Sequence, residues 1–148
     1  MKWVTRPSIR VNRTATAWLV RRFVDPAAEF VFVAPERVAA LQRDEGAVGF
    51  DAPGARYPHR DAKDRCSFEA LAAEHRPADA ALRELARIVH GADFADAVDV
   101  PPESAGLRAI SRGFPLVAKD DHETIGRAVF LYDALYAALR ERLGTGAP

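Results

Sequence analysis

Glu29–Ala34, EFVFVA, followed at once by Pro35, decides how this chain folds. Phe30, Val31, Phe32 and Val33 are all β-branched or aromatic, so the segment reads as a buried strand. A proline directly after it suits the first turn of a helix, where its missing N–H has no partner to lose, and a helix is expected from Pro35 through about Gln42. Toward the N-terminus, Trp3–Thr5 reads as a short strand, and Asn12 stands where it can cap a helix over Arg13–Val24 that Asp25-Pro26 stops. In the other direction Ala47–Asp51, AVGFD, is a further short strand. A loop punctuated by Gly and Pro, APGARYPHRDAKDR, follows it and carries His59.

From Ser67 the pattern turns helical. Phe68, Leu71 and Ala72 share one face, then Leu82, Leu85, Ile88 and Val89 repeat the spacing, with a split near Pro77. Pro101-Pro102 opens another helix with Leu107 and Ile110 inward, and a break is expected at Gly113–Pro115. The last helix starts at Asp120 or Asp121, runs to about Leu143 and buries Ile125, Val129, Leu135 and Leu139. The fold class is α+β: a small mixed sheet near the N-terminal half packed against mainly C-terminal helices, in a single domain over residues 1–148.

Composition sets the class of partner. Hydrophobic residues make up 49% and charged residues 28%, close to soluble averages, which argues against disorder and against a membrane span. The 21 basic and 21 acidic residues balance, and the arginines of Arg6–Arg22 alternate with apolar residues as on an amphipathic helix, so direct nucleic-acid binding is not expected. A single cysteine, Cys66, forbids an internal disulfide, and the N-terminus lacks a signal-length apolar run; a cytoplasmic protein is expected. Self-association is left open.

Five strings carry a resemblance: NRTATAWLVRRFVD from Asn12, FVFV with FDAPG from Phe50, the HR...RCSFEAL block from His59, IVHGAD from Ile88, and DDHETIGRAVFLYDALYAAL from Asp120. In this order they resemble the bacterial chromate-resistance family, whose domain occurs alone, fused to rhodanese-like modules, or as the carboxy-terminal half of a chromate-responsive regulator. One departure stands out. Where the family pattern has a cysteine-proline pair ahead of the first helix's tryptophan, this chain has Thr16-Ala17-Trp18, so no role for that thiol carries over. The regulator's amino-terminal half, where DNA binding would be expected, has no counterpart in the sequence, and autonomous repression is not expected. The family name includes the word exported, which the N-terminal sequence does not support. It also implies a phenotype, survival in chromate, and leaves the chemical step open.

Candidate chemistry centres on the histidines with acids beside them. His90 and Asp93 lie three apart, on one face if the helix persists past Gly91, and suit a first-row metal; the alternative is a helix end that His90 stabilises. His122 follows Asp120-Asp121 at a helix start, where the acids cap and a neutral imidazole is free to ligate. His59 shares its loop with Arg60, Asp61 and Asp64. The expected metal ligands are therefore His59, His90, Asp93, Asp121 and His122, converging on one divalent ion, iron, manganese or zinc.

Glu69 is either a ligand or general base, or part of a capping box near Cys66 and Ser67. Arg22, one turn from Trp18, either neutralises an oxyanion or lies along the core, and Arg60 is a second candidate for that charge. Cys66 reads as a small buried hydrophobe, Tyr132 and Tyr136 as core residues with tethered hydroxyls, and His75 as an exposed helix-end residue. Three functions follow: a metal-dependent enzyme or redox protein acting on a small oxyanion or oxidised substrate, a chromate- or metal-responsive sensor without turnover, or a stability or interaction domain with no bound metal.

Overall fold

The computed structural model describes residues 1–144. Three strands form the sheet: β1 (Lys2–Thr5), β2 (Glu29–Phe32) and β3 (Val48–Gly49), in the order β2-β1-β3. Lys2 pairs with Glu29 and Thr5 with Phe32 on one side of β1, and Trp3 with Val48 on the other. Both pairings are parallel, where a mixed sheet was expected. The reason lies in the connections, since each strand is joined to the next by a helix that returns the chain to the starting edge. Among the described residues the sheet continues beyond β3 only as a bridge between Phe50 and Tyr57.

The first of these helices, α1, spans Val11–Leu19 and continues through a wide turn, Val20–Val24, closed by the Asp25 amide donating to the Val20 carbonyl. Every α1 residue but Arg13 is buried, because α1 lies between the sheet and the later helices. Asn12 is therefore inside the helix and does not cap it. Its amide donates to Ser67 Oγ at 2.8 Å and accepts from the Phe68 amide at 3.2 Å, pinning the start of the helix at Ser67 to α1. On the opposite face of the sheet, a 3₁₀ turn opened by Pro35 leads into α2 (Val38–Glu45), which ends at Gly46 with φ +66°.

The remaining helices follow as expected in order: α3 (Ser67–His75), α4 (Ala80–Asp93), α5 (Glu103–Val117) and α6 (Asp121–Arg142). Gly91 does not end α4. A Cβ there would stand 2.5 Å from Val100 Cγ1 and 2.6 Å from Ser104 Oγ, so the glycine is what lets α5 approach. Nor does the chain break at Gly113–Pro115, which lies inside the last turns of α5, and Ile110 on that helix is exposed while Leu107 is buried. In α6 Ile125 and Leu139 are fully buried; Val129 and Leu135 are half-buried against the same core. Two apolar clusters result. The main one joins Trp3, Phe30 and Phe50 to α1, α3, α4 and α6, and a small one puts Val4 and Val38 between sheet and α2. The class is α+β, as expected.

Candidate functional site

In a parallel sheet, the crevice outside the carboxyl ends of the strands opens where neighbouring connections leave toward opposite faces. Here that point lies between β1, whose chain leaves toward α1, and β3, reached through α2 on the other face. The residues just past these two strands meet. Arg6 follows β1, and its Nε donates to the Asp51 carbonyl at 2.7 Å while Nη2 donates to Asp51 Oδ1 at 3.1 Å. Asp51, two residues past β3, is held at φ +49° and is almost wholly buried. Arg13 of α1 faces its other oxygen, Nε to Oδ2 at 3.3 Å, and His59 Nδ1 donates to Oδ1 at 2.7 Å. One carboxylate thus engages two guanidinium groups and an imidazole.

These contacts shift the proton affinities in known directions. The hydrogen bond to Asp51 raises the pKa of His59, aided by the charges of Asp51 and Asp93 and opposed by burial. Burial lowers that of Arg13, with Asp51 opposing. Asp93, at the end of α4, lies 3.7 Å from His59 Nδ1, and its Oδ2 is buried without a hydrogen-bond partner. Burial, reinforced by the charge of Asp51, pushes the Asp93 carboxyl up to about 6.

His90, one turn before Phe94, has a second such arrangement. Its Nδ1 meets Oε1 of Glu69, and the same Oε1 accepts the Cys66 amide at 3.0 Å, so Glu69 completes the capping box of α3 and orients an imidazole as well. The capping role weighed for Glu69 rests on that oxygen, which also orients His90. The two imidazoles meet edge to face on the Phe94 ring, at 5.1 Å for His59 and 4.7 Å for His90, and the Arg60 guanidinium covers that ring at 3.9 Å. Beside His90 opens a cavity of about 160 Å³ lined by Glu69, Arg87 and the Ala97–Pro101 segment.

The other expected site residues stand elsewhere. Both oxygens of Asp121 are taken by backbone amides, Oδ2 by Ser8 at 2.9 Å and Oδ1 by Ile9 at 3.0 Å, which ties the start of α6 to the loop after β1. His122 is exposed and packs its ring edge against Phe32 at 5.0 Å, with neither of the other imidazoles as its partner. Arg22 donates to Asp133 at 3.0 Å, the carboxylate that also receives Trp18 Nε1 at 2.9 Å, so the anion that Trp18 and Arg22 meet is an internal one. Cys66 is buried, and burial holds its thiol well above the ordinary range.

A divalent metal can be tested against this donor set. His59 and His90 each have the carboxylate-backed Nδ1 that ligating imidazoles commonly have. Yet Asp51 already faces two arginines, Asp121 is consumed by amides, and among the described residues no group of three or more His, Cys, Asp and Glu side chains is placed to hold a metal ion. The five-ligand centre expected from the sequence does not fit this arrangement. Reasoning from sequence also missed Arg6, Arg13, Asp51 and Phe94. For Arg6 and Asp51 a signal existed, since Arg6 directly follows the expected strand Trp3–Thr5 and Asp51 ends the expected strand Ala47–Asp51, but their partnership depends on the β2-β1-β3 order, which no local pattern discloses.

The model of the family described as ChrB, C-terminal domain, matches residues 3–139. The chain belongs to the ChrB carboxy-terminal domain family. It is also similar to Protein ChrB of Cupriavidus metallidurans, with 33% identity over 136 residues, 91% of this chain and 40% of that relative. The chain thus spans well under half the length of the curated ChrB relative it matches. No solved structure matches it. Chromate resistance is the family setting, and among the described residues no helix is long and apolar enough to cross a membrane. The crevice carrying Arg6, Asp51, His59, His90 and Asp93 lies wholly inside the region matched to the ChrB family.

Proposed function

We propose that this ChrB-family domain is a cytoplasmic responsive module of chromate resistance that recognises a small tetrahedral oxyanion beside His59 and His90. The observation that carries the reading is the pair of imidazoles sharing the Phe94 ring, each with a carboxylate at Nδ1. A carboxylate there fixes the Nδ1–H tautomer and leaves Nε2 for another partner. When the ring is protonated, Nε2 becomes a charge-assisted donor to an anion. His59 is half exposed and its pKa is raised, which favours that protonated form near neutrality.

Binding is favoured over turnover for a chemical reason. Reduction of an oxyanion needs an electron source, and the chain's only thiol is buried with its pKa raised. Among the described residues no three or more His, Cys, Asp and Glu side chains are grouped to hold a metal ion.

The test is equilibrium binding of chromate and of sulfate, whose charge is constant between pH 6 and pH 8, to wild type, His59→Gln and His90→Gln. Chromate binding is expected to weaken about 10-fold or more in each variant, as for a lost charge-assisted hydrogen bond. Any sulfate binding is expected to be tighter at pH 6 than at pH 8. Unchanged chromate affinity in both variants would refute the reading. Elemental analysis of protein purified without a metal-binding tag is the companion measurement: one iron, manganese or zinc per chain, lost in both variants, would replace the oxyanion site by a metal centre.

A further inference from the structure

Between α3 and α4 lies a second, larger cavity of about 360 Å³, within the volume range of small-molecule sites. Its floor is made of small apolar groups, Ala72 and Ala86 among them, and its rim carries Arg65, Arg76, Arg83 and Arg87. These arginines differ in how far they are neutralised. Arg65 is paired with Asp61 at 2.8 Å, Arg87 with Glu84 at 2.8 Å and Arg76 with Asp79 at 3.6 Å. Arg83 donates only to the neutral Pro77 carbonyl, at 2.8 Å, so among the described residues its charge meets no carboxylate within bonding distance. An apolar floor under a guanidinium rim suits a molecule with one flat apolar body and one anionic head.

We infer that this cavity is a binding site for an aromatic organic anion, with Arg83 holding the anionic head and the alanine floor the ring. The site is distinct from the oxyanion crevice. Glu69 and Arg87 line this cavity and also the 160 Å³ cavity beside His90, so the two are neighbours separated by those side chains. Glu69 belongs to the His90 pair already described, whereas Arg83 and Ala73 line only the larger cavity of the two and touch neither imidazole. They are therefore the positions at which to test it.

The probe is 8-anilinonaphthalene-1-sulfonate, titrated by fluorescence into the native full chain, with N-phenyl-1-naphthylamine, the same body without the sulfonate, as comparator. The expected result is one site per chain. Its affinity falls about 10-fold in Arg83→Gln, as for a lost charge-assisted bond, and at least as far in Ala73→Leu, where an exposed alanine is replaced by a side chain that fills the floor. Thermal melts of both variants match wild type, His90→Gln leaves the probe affinity unchanged, and the neutral comparator binds about 10-fold more weakly. Wild-type affinity in both Arg83→Gln and Ala73→Leu, equal binding of the neutral comparator, or loss in His90→Gln alone would overturn the inference. Because the His90 variant enters with the opposite expectation to the chromate experiment, failure of one site is distinguishable from failure of the other.

Discussion

Replacing Asp93 by asparagine removes a carboxylate that the fold holds in a poor place for charge. Its environment contains Asp51 on one side and His59, Arg13 and Arg6 on the other, yet burial dominates and the carboxyl is pushed from 3.8 up to about 6. A raised carboxylate pKa means that the folded state binds the proton more tightly than the unfolded chain. Ionisation therefore costs stability: nothing below the unfolded value, increasingly through the window between 3.8 and 6, and fully above it. A shift of that size corresponds to about 3 kcal/mol. Asparagine keeps the shape and cannot ionise. Urea unfolding at pH 8 is expected to find Asp93→Asn more stable by about 3 kcal/mol, and at pH 5, where the wild-type group is partly relieved, by roughly half as much. His59 titrates nearby and is present in both proteins, so the difference between them reports chiefly on Asp93. An advantage that does not grow with pH, or a variant less stable than wild type at pH 8, would refute the reasoning; the second result would mean that the ionised carboxylate has a stabilising partner.

Three further outcomes follow from buried contacts. Tyr132→Phe is expected to cost about 1–3 kcal/mol in chemical denaturation, because the phenol that donates to the Val11 carbonyl at 3.0 Å and meets Thr14 Oγ1 at 2.6 Å is lost from a fully buried position. Gly91→Ala is expected to cost about 1–3 kcal/mol by crowding Val100 and Ser104, and a melting temperature equal to wild type would contradict the close approach of α5. The Cys66 thiol is expected to react with a thiol-specific disulfide reagent at pH 8 only on unfolding, so rapid labelling of the native protein would show that the residue is not enclosed as described.

Local patterns in the sequence carried the fold further than they carried the site. EFVFVA with Pro35 marked β2 and the turn after it, and helical spacing marked α3, α4 and α6, because strand and helix periodicity are local properties that burial enforces. Asn12 misled for a physical reason: a polar residue near a helix start resembles a cap, but here neighbouring Ser67 and Phe68 satisfy its amide inside the core. Pro115 and Gly113 misled similarly, since both lie in the last turns of α5, where helix continuation has few bonds left to lose. At the site, the histidine-acid pairs in sequence were legible as candidates, yet their partners lay far off. His59 took Asp51, His90 took Glu69, and Asp121 turned from its neighbour His122 to the amides of Ser8 and Ile9. Adjacency in sequence does not determine which carboxylate an imidazole meets once loops from different strands share an edge.

The two aspartates beside His59 show how the same edge separates chemical roles. Asp51 is held by two arginines and by His59, while Asp93, 3.7 Å from that imidazole, has a buried oxygen without a hydrogen-bond partner and a carboxyl pushed up to about 6. Environment, not residue type, surrounds one with cationic side chains and makes the other a group that takes up a proton near neutral pH. Under the oxyanion reading, a dianion arriving at His59 adds negative charge near Asp93 and draws a proton onto the crevice, just as it favours the imidazolium. Binding and proton uptake are then linked, with the same sign for both groups. Calorimetric titration of sulfate in buffers of differing ionisation enthalpy at pH 6.5 should therefore report net proton uptake, and the uptake should shrink in Asp93→Asn and in His59→Gln. Binding with no proton exchanged would leave the affinity to the arginines alone and detach it from the two groups whose pKa values the fold has raised.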